Sequence, residues 1–248
     1  MESPSLVLMS NQTALQRALD VVANNVANAN TTGFKRQGIQ FDTLLSRPAP
    51  GESIEFVVDR ATYRDLSNGP MQITENPLDI AISGPGYLPV QTPEGKRYTR
   101  AGTLQLNPDG QLVTQSGHLL LGDGDQPITI PNTVTAVNVS ADGFVTAKVD
   151  NGTALSQVGK LKIAYFANEH KMQAMGNGLY SSDDAPIEAP AAASRFVQGA
   201  IEQSNVQPVL EITQMITIMR SYEQTVNLIR QQNQQMDDAI IKLSKTTV

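Results

Sequence analysis

Residues 209–243 read VLEITQMITIMRSYEQTVNLIRQQNQQMDDAIIKL, and the spacing of their apolar side chains decides the architecture. Val209, Ile212, Ile216, Met219, Tyr222, Val226, Ile229, Met236, Ile240 and Leu243 recur three, four or seven residues apart. That is the period of a helix carrying one apolar stripe. The pattern predicts a coiled-coil-like helix, on the order of 60 Å long at 1.5 Å per residue. A helix of this kind does not hold its shape without burying the stripe. The opposite end of the chain carries a matching one in Leu8, Leu15, Leu19, Val22, Val26 and Ala29. The simplest partner for each stripe is the other, so the two ends are expected to pair.

Between them the pattern changes from helical to strand-like. Gly33 and the asparagines Asn28 and Asn30 mark the exit from the first helix. Residues 34–76 hold the breakers Pro48, Pro50 and Gly51, a strand-like Ser53–Asp59 and the turn sequence LSNGP at 66–70, and read as an extended connector. Strand and hairpin signals then crowd residues 77–185. Leu78–Ile82 alternates before Gly84-Pro85-Gly86. Arg97–Leu106 leads into the turn Asn107-Pro108-Asp109-Gly110, and Gln111–Thr114 returns. Ala136–Ser140, Phe144–Val149 and Leu161–Phe166 continue the series, with turns at Ala141–Gly143 and Asp150–Gly152. A loose Ala/Pro-containing run, 183–193, precedes the second helix. The expected fold is α+β: an N-terminal helix at 1–33, the connector, an antiparallel β domain at 77–185, a return connector at 186–204 and a C-terminal helix at 205–248.

Composition removes several classes of function. The 248 residues carry 18 Lys plus Arg against 24 Asp plus Glu, a formal net charge of −6. An acidic chain has no cationic footprint for nucleic acid. There is no cysteine, so neither disulfides nor a thiolate zinc site is available. Residues 14–29 are interrupted by Gln16, Arg17, Asp20, Asn24, Asn25 and Asn28, so they do not read as a membrane span. The opening MESPSLVLMS lacks the basic and apolar regions of a cleaved signal peptide. Chemistry is equally sparse. His118 and His170 have no ligand-spaced partner, and Asp123-Gly124-Asp125 fails the EF-hand spacing, with Val134 where its twelfth-position Glu belongs. Gly84-Pro85-Gly86 lacks a backbone N–H that a phosphate loop needs. Neither cofactor nor metal is expected, and no residue is nominated for catalysis.

Five stretches resemble the flagellar rod and hook family of axial proteins. Ala18–Arg36 (ALDVVANNVANANTTGFKR) is similar to its N-terminal signature, and Val197–Glu223 (VQGAIEQSNVQPVLEITQMITIMRSYE) to its C-terminal one. Asn76–Val90 (NPLDIAISGPGYLPV), Tyr98–Gly102 (YTRAG) and Asn107–Thr114 (NPDGQLVT) resemble its central part. The resemblance implies a structural subunit that stacks helically into a torque-transmitting shaft, exported through the flagellar type III apparatus into the periplasm. Its implied partners are other rod subunits and further copies of itself, with no nucleic acid and no membrane insertion. The competing class is a β-domain adhesin that oligomerises through its helices. Such a stalk normally sits at one end of the chain, whereas here both ends contribute.

The candidate assembly surface combines Val22, Asn24, Asn25, Val26 and Asn28 with Ile212, Ile216, Met219, Tyr222, Val226, Ile229, Asn233, Met236 and Ile240. Val21, Leu210, Met215, Ile218, Leu228 and Ile241 lie off the main stripe and are left for neighbours to cover. Asn24 and Asn25 lie inside the helix rather than at its end, where asparagine is a poor helix former. They, with Asn233, are expected to fix register through amide hydrogen bonds, as a buried Asn does in coiled coils. Asn25→Leu is then expected to spare the monomer and impair assembly.

Overall fold

A computed structural model describes residues 3–49, 52–131, 134–149, 155–187 and 194–245. Pro50, Gly51, the turn at 150–152 and residues 188–193 lie outside them, as do several side chains, including that of Leu243. The chain divides into two compact units.

The first unit is Met1–Ala27, Gln37–Asp65 and Gln207–Val248. Helix α1 (Ser3–Ala27) pairs with the N-terminal part of helix α2 (Pro208–Lys245), which runs on beyond it. Tyr222 meets Gln12 and Glu211 meets Asn25, so the later α2 residue faces the earlier α1 residue and the pair is antiparallel. Pro208 opens α2, where its missing N–H removes no helical bond. The stretch 34–76, expected as a connector, contains a long ribbon. Strands β1 (Gln37–Ala49) and β2 (Glu52–Arg64) pair antiparallel from Gln37 opposite Arg64 outward. The sequence pattern marks only Ser53–Asp59 of it, because the breakers Pro48, Pro50 and Gly51 interrupt the wording. Helix α1 packs against both strands as well as against α2.

The second unit is Asn28–Arg36 with Leu66–Val206. Its strands are β3 (Met71–Ile73), β4 (Ile80–Ser83), β5 (Leu88–Thr92), β6 (Gly95–Thr99), β7 (Leu104–Leu106), β8 (Leu112–Thr114), β9 (Leu119–Leu120), β10 (Val134–Val139), β11 (Phe144–Val149), β12 (Leu155–Lys160), β13 (Gln173–Gly176), β14 (Leu179–Ser181), β15 (Arg195–Gln198) and β16 (Ala200–Glu202). Seven of them form one sheet in the order β13-β14-β6-β5-β9-β8-β7, and β10-β11-β12 form a second. Two short pairs, β15 with β4 and β16 with β3, bring the segment before α2 onto the unit. The pairings of these strands are antiparallel.

The β7–β8 hairpin turns at residues 107–110 as expected, with Leu106 opposite Leu112. Leu161–Phe166 is not a ladder strand. Its residues make single bridges, Gly122 to Leu161 and Tyr87 to Ala164, while the ladder runs through β12 just before it. The run is apolar because it is buried, not because it is paired along its length.

Ile80, Ile82, Leu88, Val90, Leu104, Leu112, Leu120, Ile130, Val145 and Phe196 make one contiguous core. Each fully buried aliphatic side chain contributes about 1.5–3 kcal/mol relative to exposure. A satellite of Tyr87, Tyr98, Phe166, Met172 and Tyr180 packs edge to face beside it. Asp123–Asp125 forms a short 3-10 turn, and Asp125 pairs with Lys96 at 2.7 Å and Lys162 at 3.3 Å. Lys96, chiefly, holds the Asp125 carboxyl below the ordinary range.

Candidate assembly surface and buried polar joints

Helix α2 has two stripes of helical period, and the one turned toward α1 is not the most apolar. The face carrying Glu211 and Tyr222, which bond to α1, continues through Met215, Ile218, Thr225, Ile229 and Gln232 at alternating spacings of four and three. Glu211 and Thr225 are buried, and the others half-buried. The expected seam is displaced by one residue and largely faces outward. Val209, Ile212, Ile216, Met219, Met236 and Ile240 are exposed, with Ile212, Ile216 and Met219 at 45, 46 and 45%.

Of the candidate surface residues on α2, only Tyr222, Val226 and Ile229 are half-buried, while Asn233 is exposed. The pairing of the two apolar stripes is therefore corrected. Periodicity reports that a stripe exists, not which partner covers it, and two stripes one residue apart share the same period. Small Ala14 and Ala18 sit on α1 near its inward side, and the polar members of the α2 seam are answered by amides. Met215 and Ile218, expected off the seam, belong to it.

On α1, Val22 is buried, Val26 half-buried and Asn24 exposed. Asn25 is fully buried, and its amide makes three hydrogen bonds within the chain: Nδ2 donates to Gln37 O (2.8 Å) and to Glu211 Oε2 (3.1 Å), and Oδ1 accepts from Gln37 N (2.9 Å). The amide does bridge the helices, as expected, but it also ties α1 to the ribbon. The expectation that Asn25→Leu spares the monomer falls with that geometry, because the change removes both bonds to the Gln37 peptide and the one to Glu211 in a buried place. Asn28 belongs to the second unit, where its carbonyl accepts from Thr31 N at 3.1 Å and its Oδ1 from Thr31 Oγ1 at 3.1 Å.

The second unit holds a joint that sequence reading missed. Glu202 lies between two cations: Lys35 Nζ donates to its Oε1 at 2.8 Å, and Arg100 Nε stands 3.0 Å from its Oε2. The three side chains are 1, 3 and 3% exposed. Gly69 N also donates to Glu202 Oε1 (3.0 Å), and Lys35 Nζ to Ser67 O (2.7 Å). Arg100 completes its fork on Gly84 O (2.8 Å), Gly86 O (2.6 Å) and Asn68 Oδ1 (2.7 Å). Burial first, and the Arg100 guanidinium next, hold the Lys35 ammonium below the ordinary lysine value, against the pull of Glu202.

Backbone closes the joint. Gly33 N donates to Glu202 O (2.8 Å), and Arg36 N to Asn205 Oδ1 (2.6 Å). Gly33 sits at φ +68°, and a Cβ there would stand 2.5 Å from the Arg100 carbonyl carbon. A Cβ on Gly69 would stand 1.9 Å from Gln203 O, closer than any real contact. Lys35, Gly86, Arg100 and Glu202 come from four separated stretches singled out in the sequence. The legible signal was charge beside glycine in otherwise apolar wording, as in Gly33-Phe34-Lys35 and Tyr98–Gly102.

Two terminal helices pair with one another, an antiparallel β unit is inserted between them in sequence, and α2 keeps an exposed apolar stripe, the architecture of a helical-ended structural subunit. The models described as flagella basal body rod protein, flagellar hook protein FlgE/F/G D1 domain and flagellar basal body rod FlgEFG protein C-terminal match residues 6–35, 81–147 and 197–243. The chain belongs to the flagellar basal-body rod protein family and is a structural subunit of the rod. It is 37% identical to flagellar basal-body rod protein FlgF of Caulobacter vibrioides over 249 aligned residues, 99% of each chain. It is 35% identical to FlgG of the same organism, over 92% of this chain and 94% of that one. FlgF of Mesorhizobium japonicum is 32% identical over 97% of both.

Proposed function

We propose that this chain occupies the proximal part of the rod, as an FlgF-type subunit, and transmits torque from motor to hook through contacts of its terminal helices. The observation that carries this reading is the outward stripe of α2, where Ile212, Ile216, Met219 and Ile240 remain exposed on the single chain. An exposed apolar stripe of this length is an interface awaiting a neighbour. In a helical assembly the contacts are heterologous, and a stripe along a long helix offers one to each adjoining subunit. Tyr222, Val226, Ile229, Asn233 and Met236 belong to the same proposed surface or to its margin, with half-buried Val26 and exposed Asn24 on α1, while buried Val22 is outside it. Neighbours are other rod subunits and further copies of this chain. The role is mechanical, without catalysis or cofactor. Delivery is through the flagellar type III apparatus to the periplasmic rod; among the described residues no helix is long and apolar enough to cross a membrane.

The test is an Ile212→Gln/Ile216→Gln variant expressed in cells lacking the wild-type protein. The expected result is a folded, exported chain that is absent from purified basal bodies, with motility lost. Normal incorporation overturns the assignment of this stripe. The similarity to FlgG supports a distal position as the second reading, and copy number separates the two. A few copies per isolated basal body fits the proximal rod, and a several-fold higher number fits the distal one.

A further inference from the structure

The root of the β1–β2 ribbon is held by three elements at once. A primary amide presents one donor and one acceptor in the arrangement of a peptide group. Asn25 uses both on Gln37, giving to its carbonyl and taking from its N–H. Asn25 therefore adds one rung to the open end of the ribbon, from the side of α1. At that end Gln37 stands opposite Arg64, which is buried, and Gly38 opposite Tyr63, whose ring fills the place of the missing Cβ at 2.5 Å. The remaining hydrogen of Asn25 Nδ2 goes to Glu211, in the first turn of α2. Glu211 is 2% exposed and accepts from Nδ2, so it selects the same amide orientation as the Gln37 peptide: Nδ2 toward Glu211 and Gln37 O, Oδ1 toward Gln37 N.

We infer that Asn25 is a relay: docking of the first turn of α2 on α1, through Glu211, sets the Asn25 amide and thereby fixes the root of the ribbon. The order of the ribbon is conditional on α2. The coupling is reciprocal, because a ribbon root bonded to Asn25 favours the amide orientation that Glu211 accepts. A chain whose α2 is not docked carries a ribbon that swings from its root, and docking stiffens it.

The chain has no cysteine, so an Ala61→Cys substitution on the exposed β2 edge places a single spin label on the ribbon of the full-length protein. Glu211→Ala is expected to add a mobile component to the label's spectrum with helical circular dichroism retained, and Asn25→Ala to do the same. The double variant is expected to be no more mobile than either single one, since both break one relay. Label mobility unchanged by Glu211→Ala, or two effects that add, overturns the inference. Should Glu211→Ala lose its helix, the reverse direction remains. Gln37→Pro removes the ribbon's N–H from Asn25 without touching either helix, and proline is tolerated at the first residue of a strand. Amide exchange at Ile212–Met215 is then expected to quicken by at least about fivefold. Unchanged exchange there, with the ribbon root loosened, overturns the relay.

Discussion

Among the described residues Glu202 is within ion-pair distance of both Lys35 and Arg100, with Glu169 lining the same cavity as those two cations, and that balance of charge decides what each substitution does. Glu202→Gln leaves two cations facing one another out of water. It is expected to destabilise the β unit by about 3–5 kcal/mol, the range for removing one member of a buried ion pair. Lys35→Met leaves Arg100 and Glu202 as a balanced pair and is expected to cost less, with denaturant titrations of the two variants giving the order. If Lys35→Met proves the more damaging, the Ser67 contact outweighs the charge balance.

A pH dependence follows from the same residue. The folded Lys35 value lies below the unfolded 10.5, so between the two the unfolded chain binds more protons and stability rises with pH. This contribution is fully present above 10.5 and is lost as pH falls through the folded value. Tyr98, raised by burial, acts oppositely above its ordinary 10.0, where stability is lost as pH rises through that range. The slope in mildly alkaline buffer, taken as wild type minus Lys35→Met, is expected to be positive; a zero difference removes Lys35 as its source.

Among elements, α2 is the one whose two faces differ in kind. A substitution on its outer stripe, such as Ile216→Gln alone, is expected to change unfolding free energy by under about 0.5 kcal/mol. At the junction of α1, α2 and the ribbon, Asn25→Leu leaves the Gln37 peptide without its partner. It is expected to cost about 1–3 kcal/mol for each group so stranded, read as a fall in the melting of the helical unit. Element existence was legible from the sequence: the 3.6-residue period announced both helices, and Asn107–Gly110 announced a hairpin. The facing of α2 was not, because Ile212 and Ile216 outscore Glu211 and Thr225 in apolarity while the α1 amides that satisfy Glu211 lie 186 residues away. The ribbon was hidden by the breakers Pro48, Pro50 and Gly51 in its sequence, and the Lys35–Glu202–Arg100 joint by distance along the chain. A buried charge is recognisable only with its partners, and these come together from four stretches.

At the level of the whole chain, the two units are expected to melt separately. Buried side chains of the helical unit are few among the described residues: Ala14, Val22, Asn25, Arg64, Glu211 and Thr225. The β unit has two apolar clusters. Native-state hydrogen exchange of the purified monomer is expected to be fast along α1 and α2 and slow in β4, β5 and β8. Equal protection throughout contradicts it. Glu202→Gln is expected to lower the transition of the β unit and leave the helical one in place.

The division of the chain has a mechanical corollary. The backbone passes from one unit to the other four times, after residues 27, 36, 65 and 206. A body hung on one covalent tether spins about its single bonds at almost no cost, like a weight on a thread. Four tethers have to wind about one another before either body completes a turn, and three of them carry a buried polar side chain near the crossing. Lys35 lies just ahead of the second, Arg64 at the third and Glu211 just after the fourth. By connectivity alone, a subunit built in this way opposes wringing.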